Sequence, residues 1–201
     1  MISLLFGLAT GLGLIVAIGA QNAYVLRLGI AGLARTILAV VLICALSDAV
    51  LIVAGVLGIG VLVERAPVLL IVLRVLGAGF LIVYGLLAAR RAIRPQALKV
   101  EGGVNPGLRT AVLTALAFTW LNPHVYLDTL LFLGSVANQQ GDGRWLFAIG
   151  AVTASFVWFF GLGFGARALR PVFARPSAWR ILDALIAAVM IGLGLKLAIW
   201  G

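Results

Sequence analysis

The sequence has very few of the residues that build disulfides, metal centres and active sites. It contains one cysteine, Cys44, one histidine, His124, and only six acidic side chains among 201 residues. A single cysteine excludes an internal disulfide framework, and a lone histidine does not supply the usual set of zinc ligands. No grouping of nucleophile, base and oxyanion donor is recognisable. We therefore expect no metal site and no cofactor, and we do not expect an enzyme.

What the chain has in abundance is apolar sequence. Hydrophobic residues make up 64% of it, charged residues only 10%, and the mean hydropathy is +1.21. A helix of about 20 apolar residues crosses the hydrocarbon core of a bilayer. Six such runs can be drawn, at residues 2–26, 36–63, 67–89, 110–134, 145–166 and 181–200. The sequence thus predicts an all-α integral membrane protein with a single transmembrane domain over residues 1–201.

The net charge of +9 is unevenly distributed along the chain. Basic residues fill the first, third and fifth connections: Arg27, Arg35, Arg90, Arg91, Arg94, Lys99, Arg109, Arg167, Arg170, Arg175 and Arg180. The other connections contain few, chiefly Arg65 and Arg144. This alternation is the positive-inside pattern, which places the basic connections, including the one at about 90–109, in the cytoplasm and both termini outside. The expected partner of this charge is the lipid surface and not nucleic acid.

Two segments about 100 residues apart resemble each other, because NAYVL beginning at Asn22 is echoed by NPHVY beginning at Asn122. Further matches keep the same order: Ser47 and Gly55 with Ser155 and Gly163, and Arg74 with Arg180. We infer two three-helix repeats, at about 1–95 and 106–201. Since three is odd, the second repeat is inverted relative to the first, and such folds place a substrate site between the repeats near mid-membrane.

The run TWLNPHVYLD combines two residues that begin helices. Asn122 is a favoured N-cap and Pro123 suits the first helical position. We predict that the fourth span breaks there, so that a half-helix N-terminus with free N–H groups faces an anion such as a carboxylate. An equivalent break is expected between Gly19 and Asn22. For Asn-Pro taken alone, a simple proline kink is the alternative.

Two acidic residues, Asp48 and Asp128, lie within apolar spans. Each costs on the order of 3 kcal/mol to insert, so something must compensate them. We interpret both as ligands for a cation or a proton in a wet cavity. The alternative is a buried ion pair with Arg74 or Arg27. Asp183, at the start of the last span, is interpreted as a helix-end or solvated acid.

His124 precedes Asp128 by four residues, so both side chains share a helix face. This arrangement makes His124 a candidate for a proton relay, and a histidine hydrogen-bonded within a packed bundle is the equally open alternative. Tyr126, between them, either lines a cavity or packs against neighbouring helices.

Five segments carry a family resemblance: GAQNAYVLRLGI, ALSDAVLIVAG, RVLGAGFLIVYG, TWLNPHVYLDTLLFLGS and GDGRWLFAIGA. Together they resemble the LysE family of bacterial basic amino-acid exporters over nearly the whole chain. The resemblance implies export of lysine, arginine or related cations across the bacterial inner membrane, driven by the proton motive force. An exporter of neutral amino acids or other small metabolites, and a passive amino-acid channel, are the alternatives.

The resemblance also assigns residues. It places the family's Gln-Asn pair at Gln21 and Asn22 and its Asn-Pro pair at Asn122 and Pro123. The family's two intramembrane acids correspond to Asp48 and Asp128. The residue before Gln21 is usually proline in the family and is Ala20 here, so the first break lacks the proline that enforces the second.

The family mechanism that we expect has two parts. The substrate carboxylate meets the half-helix N-termini near Asn22 and Asn122, with Gln21 and Tyr126 beside it, while its cationic groups meet Asp48 and Asp128. Protons are the coupling ion, carried by the same two acids with His124. The glycine-rich helices also allow a homodimer, although they serve internal packing equally well.

Overall fold

The computed structural model of the protein describes residues 1–16, 19–59, 67–93 and 107–200. Within these ranges the chain is helical and contains no strand. Most of the basic connection expected at about 90–109, with Arg94 and Lys99, lies outside the described residues. So does Arg65 of the second connection.

The described residues form eight helices joined by short turns. In chain order they are α1 (Ile2–Ile15), α2 (Ala20–Ala31), α3 (Ala34–Val56), α4 (Pro67–Ile93), α5 (Leu108–Trp120), α6, α7 (Arg144–Gly165) and α8 (Pro176–Trp200). Helix α6 is continuous but changes its winding, with α-helical ends at Pro123–Val125 and Gly134–Gln139 and a π-helical middle at Tyr126–Leu133. Single 3₁₀ turns at Gly141–Gly143, Ala166–Leu169 and Val172–Ala174 flank α7 and precede α8.

The protein is a multi-pass membrane protein by the length and composition of its helices. Four segments are long and apolar enough to span a bilayer: Ala34–Val56, Ile71–Ile93, Gly141–Leu169 and Pro176–Ile199. They coincide with four of the six predicted spans. Helices α1 and α2 make a fifth candidate that is bent by 82°. Helix α5 is apolar but shorter.

Helices α4 and α8 form an antiparallel pair at close range. Gly85 of α4 and Gly194 of α8 each lie against an isoleucine of the other helix, where a larger side chain has no room. Near the start of α4, Arg74 donates from Nε to the Leu197 carbonyl at 2.7 Å and from Nη2 to the Ala198 carbonyl at 3.0 Å. These carbonyls close the last turn of α8, where helix acceptors lack partners. Arg74 is therefore bound to the end of α8 and does not form the buried ion pair that the sequence left open as an alternative.

The broken pair α1 and α2 follows α7 along its length. Gly7 of α1 lies directly against the backbone of Phe147 near the start of α7. At the other end, Gly29 of α2 lies against Gly163, where a Cβ on Gly29 would be 2.5 Å from the Gly163 carbonyl oxygen. The two halves of this broken helix thus contact opposite ends of one spanning helix.

Helices α5 and α6 follow α3 in the same manner. Trp120, the last residue of α5, hydrogen-bonds to Ser47 near the middle of α3. Further along, Gly134 of α6 crosses Gly55 of α3, and a Cβ on Gly134 would lie 2.6 Å from the Gly55 carbonyl carbon. Two glycine crossings therefore hold the broken helices against the spanning ones, because only glycine lets two backbones approach this closely.

Candidate functional site

The chain leaves helical geometry at Leu121 and Asn122, where the sequence predicts a break. Helix α5 ends at Trp120, and Asn122 adopts an extended conformation with φ −97° and ψ 107°. Its side-chain oxygen accepts a hydrogen bond from the His124 backbone N–H at 3.2 Å, and Pro123 occupies the first position of α6. Local chemistry produces this break, since the asparagine caps the new helix and the proline has no N–H to lose.

The first break is built differently. Helix α2 begins directly after Gly19, which is extended with φ −111° and ψ 175°. Asn22 lies in the first turn of α2 and does not cap it. Its Nδ2 donates to the carbonyl of Ile15, the last residue of α1, at 2.6 Å. Asn22 thus links the two halves of the broken helix by a hydrogen bond. No proline is present at this break.

Tryptophans connect both breaks to the spanning helices. Trp158 of α7 donates from its indole Nε1 to the side-chain oxygen of Asn22 at 3.1 Å. Trp120 donates from its indole to the hydroxyl of Ser47 on α3 at 3.1 Å, and its carbonyl accepts from the Tyr126 hydroxyl at 2.8 Å. Each break is therefore joined to the spanning helix that runs beside it by a specific hydrogen bond and not only by apolar contact.

Asp48 is the ionisable group between the two breaks. It is 6% exposed, and its Oδ2 accepts a hydrogen bond from Ser155 of α7 at 2.8 Å. Ser155 is itself fully buried. Because Asp48 follows Ser47 on α3 and Ser155 precedes Trp158 by one turn on α7, these bonds form one band. We call Asn22, Trp158, Ser155, Asp48, Ser47 and Trp120 the polar belt.

Gln21 borders the polar belt with an unused donor. Its Nε2 is buried and has no acceptor among the described residues. The side chain lies next to Cys44, which is 0% exposed and one turn before Asp48 on α3. A buried amide donor without an acceptor is unfavourable, so this position suits a ligand that brings an oxygen.

Asp128 lies apart from the belt, in the π-helical part of α6. Its side chain is exposed, and none of the side chains in the described ranges forms a hydrogen bond or an ion pair with it. His124 is its electrostatic neighbour, in agreement with their shared face. The structure therefore brings Gln21, Asn22 and Asp48 together but leaves Asp128 and His124 beside the second break. π-Helical turns are rare and frequently occur at functional sites.

Asp183 is not the solvated helix-end acid that the sequence suggests. Helix α8 begins at Pro176 and not near residue 181, so Asp183 lies two turns inside it. It is 3% exposed and accepts from the Nε of Arg27 at 2.9 Å and of Arg91 at 3.2 Å. Arg27 therefore pairs with this acid and with neither intramembrane candidate. In the sequence, Pro176 indicates the true start of α8, because proline favours the first turn of a helix.

An apolar groove of about 420 Å³ opens beside the belt. Trp158 lines it together with leucine, glycine, alanine and valine residues of α1, α2, α7 and the 3₁₀ turn after α7. It contains no ionisable side chain, so it does not match the charges of an amino acid. The indole N–H of Trp158 donates to Asn22 of the polar belt.

Comparison with known proteins identifies the family. The LysE type translocator family model matches residues 12–201. The chain is 50% identical over 177 residues to a putative amino-acid transporter of Mycobacterium bovis, covering 88% of this chain and 87% of the relative. It is 40% identical over 214 residues to the lysine exporter LysE of Corynebacterium diphtheriae (92% and 93% covered) and 43% identical over 194 residues to the arginine exporter protein ArgO of Serratia proteamaculans (96% and 94%). No solved structure matches. The chain belongs to the LysE family of translocators.

Proposed function

We propose that this protein exports basic L-amino acids, lysine, arginine or a close relative, in exchange for protons, and performs no chemistry on them. Relatives that share about two fifths of its residues are named as exporters of lysine and arginine. The observation that carries the proposal is the placement of Asp48. A buried carboxylate between two broken helices offers a charge to the cation, and the half-helix termini offer N–H groups to the carboxylate.

Substrate binding then uses groups already present in and beside the polar belt. The distal cation of the amino acid meets Asp48 and replaces the Ser155 hydroxyl as its partner. The α-carboxylate accepts from Gln21 Nε2, which has no acceptor among the described residues, and lies near Asn22 and Asn122 at the two breaks. Tyr126, whose hydroxyl is held by the Trp120 carbonyl, borders the same region.

We infer six crossings arranged as an inverted repeat, and the glycine contacts support the repeat. In the proposed symmetry α3 corresponds to α7, and the helices after the breaks, α2 and α6, correspond to each other. Gly163 of α7 packs against Gly29 of α2, and Gly55 of α3 packs against Gly134 of α6. Exchange of the two halves thus converts the contact of α2 with α7 into the contact of α6 with α3, as an inverted repeat requires, although Gly29 and Gly134 do not occupy equivalent positions.

Alternating access follows from the burial of the site. Asp48 and Ser155 are both nearly inaccessible, so a substrate reaches them only after a movement. The broken helices are the elements proposed to move, since Gly19 and Asn122, directly before α2 and α6, are extended and interrupt the helices there. Opening one break at a time exposes the belt to one side of the membrane.

Proton coupling uses the acids in turn. A proton on Asp48 weakens its attraction for the substrate cation, and a proton entering with the potential supplies about 2.3 kcal/mol per 100 mV. Asp128 and His124, beside the second break, are the proposed second proton site.

The proposed location is the bacterial inner membrane, with the basic connections in the cytoplasm. Arg27 and Arg91 converge on Asp183, and Arg170 donates to the carbonyls of Ile30 and Gly32. The first, third and fifth connections therefore begin or end at one side of the protein, as the positive-inside pattern requires.

The test is efflux from liposomes that contain the purified protein and labelled L-lysine or L-arginine. We expect efflux to accelerate several-fold when the outside is made acidic, and we expect Asp128→Asn to lose this acceleration. Asp142→Asn, the same exchange at an exposed acid in a turn, is the matched control and should behave like the parent. Efflux that follows the amino-acid gradient and ignores protons would instead identify a passive channel. Efflux of neutral amino acids alone would identify the other exporter class.

A further inference from the structure

A second charged cluster lies outside the polar belt, where α2, α4 and α8 meet. One oxygen of Asp183, Oδ1, accepts from the Nε atoms of both Arg27 and Arg91. Asp183 is almost fully buried, while the arginine side chains are 24% and 33% exposed. The acid therefore holds three helices together at the basic end of the protein.

The cluster is not neutral. It combines two guanidinium cations with one carboxylate, which leaves one positive charge unbalanced. In the part of the chain that the structure describes, Nη2 of Arg91 is buried and has no hydrogen-bond acceptor. Because a buried charged donor without a partner is strongly unfavourable, the site is incomplete without an anion.

The free edge of the guanidinium defines the anion. Asp183 occupies the Nε side of both arginines, and Nη2 of Arg91 remains for another ligand. Trp179 and Tyr84 hold the two guanidiniums in place, with ring centroids 5.6 Å from the Arg27 Cζ and 5.5 Å from the Arg91 Cζ. A fixed planar guanidinium binds a planar carboxylate through two parallel hydrogen bonds.

We propose that Arg91, assisted by Arg27, binds the α-carboxylate of the amino acid at the cytoplasmic entrance, before the substrate reaches the polar belt. This site rests on the proposed export function and adds its loading step. The carboxylate competes with Asp183 for the same two arginines. Binding of substrate thus loosens the contact that joins α8 to α2 and α4, and opens the entrance.

The test compares ligands that differ only in the carboxylate. The full chain is placed in phosphatidylcholine nanodiscs and titrated calorimetrically with L-arginine and agmatine, and with L-lysine and cadaverine. We expect Arg91→Gln to weaken binding of the amino acid at least about tenfold and to change binding of its decarboxylated analogue by less than about twofold, as loss of one bidentate contact predicts. Arg90→Gln, the same exchange at the exposed neighbouring residue, should change neither. Equal weakening of both ligands, or of neither, overturns the proposal.

Asp183→Asn supplies a second test with the opposite sign. Removing the competing charge should tighten amino-acid binding several-fold, whereas an acid with a purely structural role would give unchanged or weaker binding. A phosphate headgroup offers related chemistry. If amino-acid affinity depends on Arg91 only when phosphatidylglycerol is present, the cluster binds lipid and the carboxylate assignment is wrong. If L-arginine is exported but Arg91 does not discriminate between the ligands, this proposal fails while the export function stands.

Discussion

Replacing Asp48 by asparagine should reduce export of basic amino acids by roughly 10- to 100-fold, because a charge-assisted hydrogen bond contributes about 1.5–3 kcal/mol. The exchange keeps the shape of the side chain and removes its charge. Asp48 is the only ionisable group of the polar belt, and its present partner, Ser155, is neutral. The measurement is initial efflux of labelled substrate from liposomes at matched protein density.

The same variant should also lose its response to an imposed proton gradient. Asp142→Asn again serves as the matched control, since Asp142 is exposed in the turn before α7. A correctly folded Asp48→Asn protein, eluting as a single peak, that exports at the rate of the parent would remove Asp48 from both binding and coupling. In that case the buried carboxylate would be a structural partner of Ser155.

Replacing Gly134 by valine should produce the largest loss of stability. A Cβ there would lie 2.6 Å from the backbone of Gly55. A flexible side chain could change its rotamer to relieve such a clash, but the backbone of a packed helix cannot. Overpacking of this kind costs about 1–3 kcal/mol, and a chain of this size then loses roughly 2–12 °C in its unfolding temperature. The measurement is thermal unfolding in detergent.

Gly79→Val is the matched control for that substitution. Gly79 lies on the exposed side of α4, and a Cβ there has open space around it. Valine is slightly favoured over glycine within a helix, so the control should unfold at the temperature of the parent or just above it. Equal losses in both variants would mean that the crossing of α3 and α6 is looser than the structure shows.

Features with a local chemical cause were predictable from the sequence. Asn122 and Pro123 specify the second break by themselves, because one side chain caps a helix and the other begins it. Hydropathy located the four long helices, although it started α8 too late and so misjudged Asp183. Pro176 indicates the earlier start of α8, since proline favours the first turn of a helix.

Features that depend on tertiary contacts were not predictable. Ser155 and Asp48 are 107 residues apart, and nothing in the sequence near either one names its partner. The two arginines that meet at Asp183 come from different helices for the same reason. The π-helical winding of Tyr126–Leu133 is also not indicated by the sequence of these residues. It appears where α6 packs against α3.

The central claim, that the belt around Asp48 binds the substrate, is tested most directly at Cys44. It is the only cysteine of the chain, it is 0% exposed, and it lies one turn from Asp48 beside Gln21. The measurement is the rate at which a membrane-impermeant thiol reagent modifies Cys44 in liposomes, with and without L-lysine or L-arginine. The account predicts slow modification that changes several-fold with the transported amino acid, and no such change in Asp48→Asn. Transport of the amino acid with no effect on the Cys44 rate would contradict it.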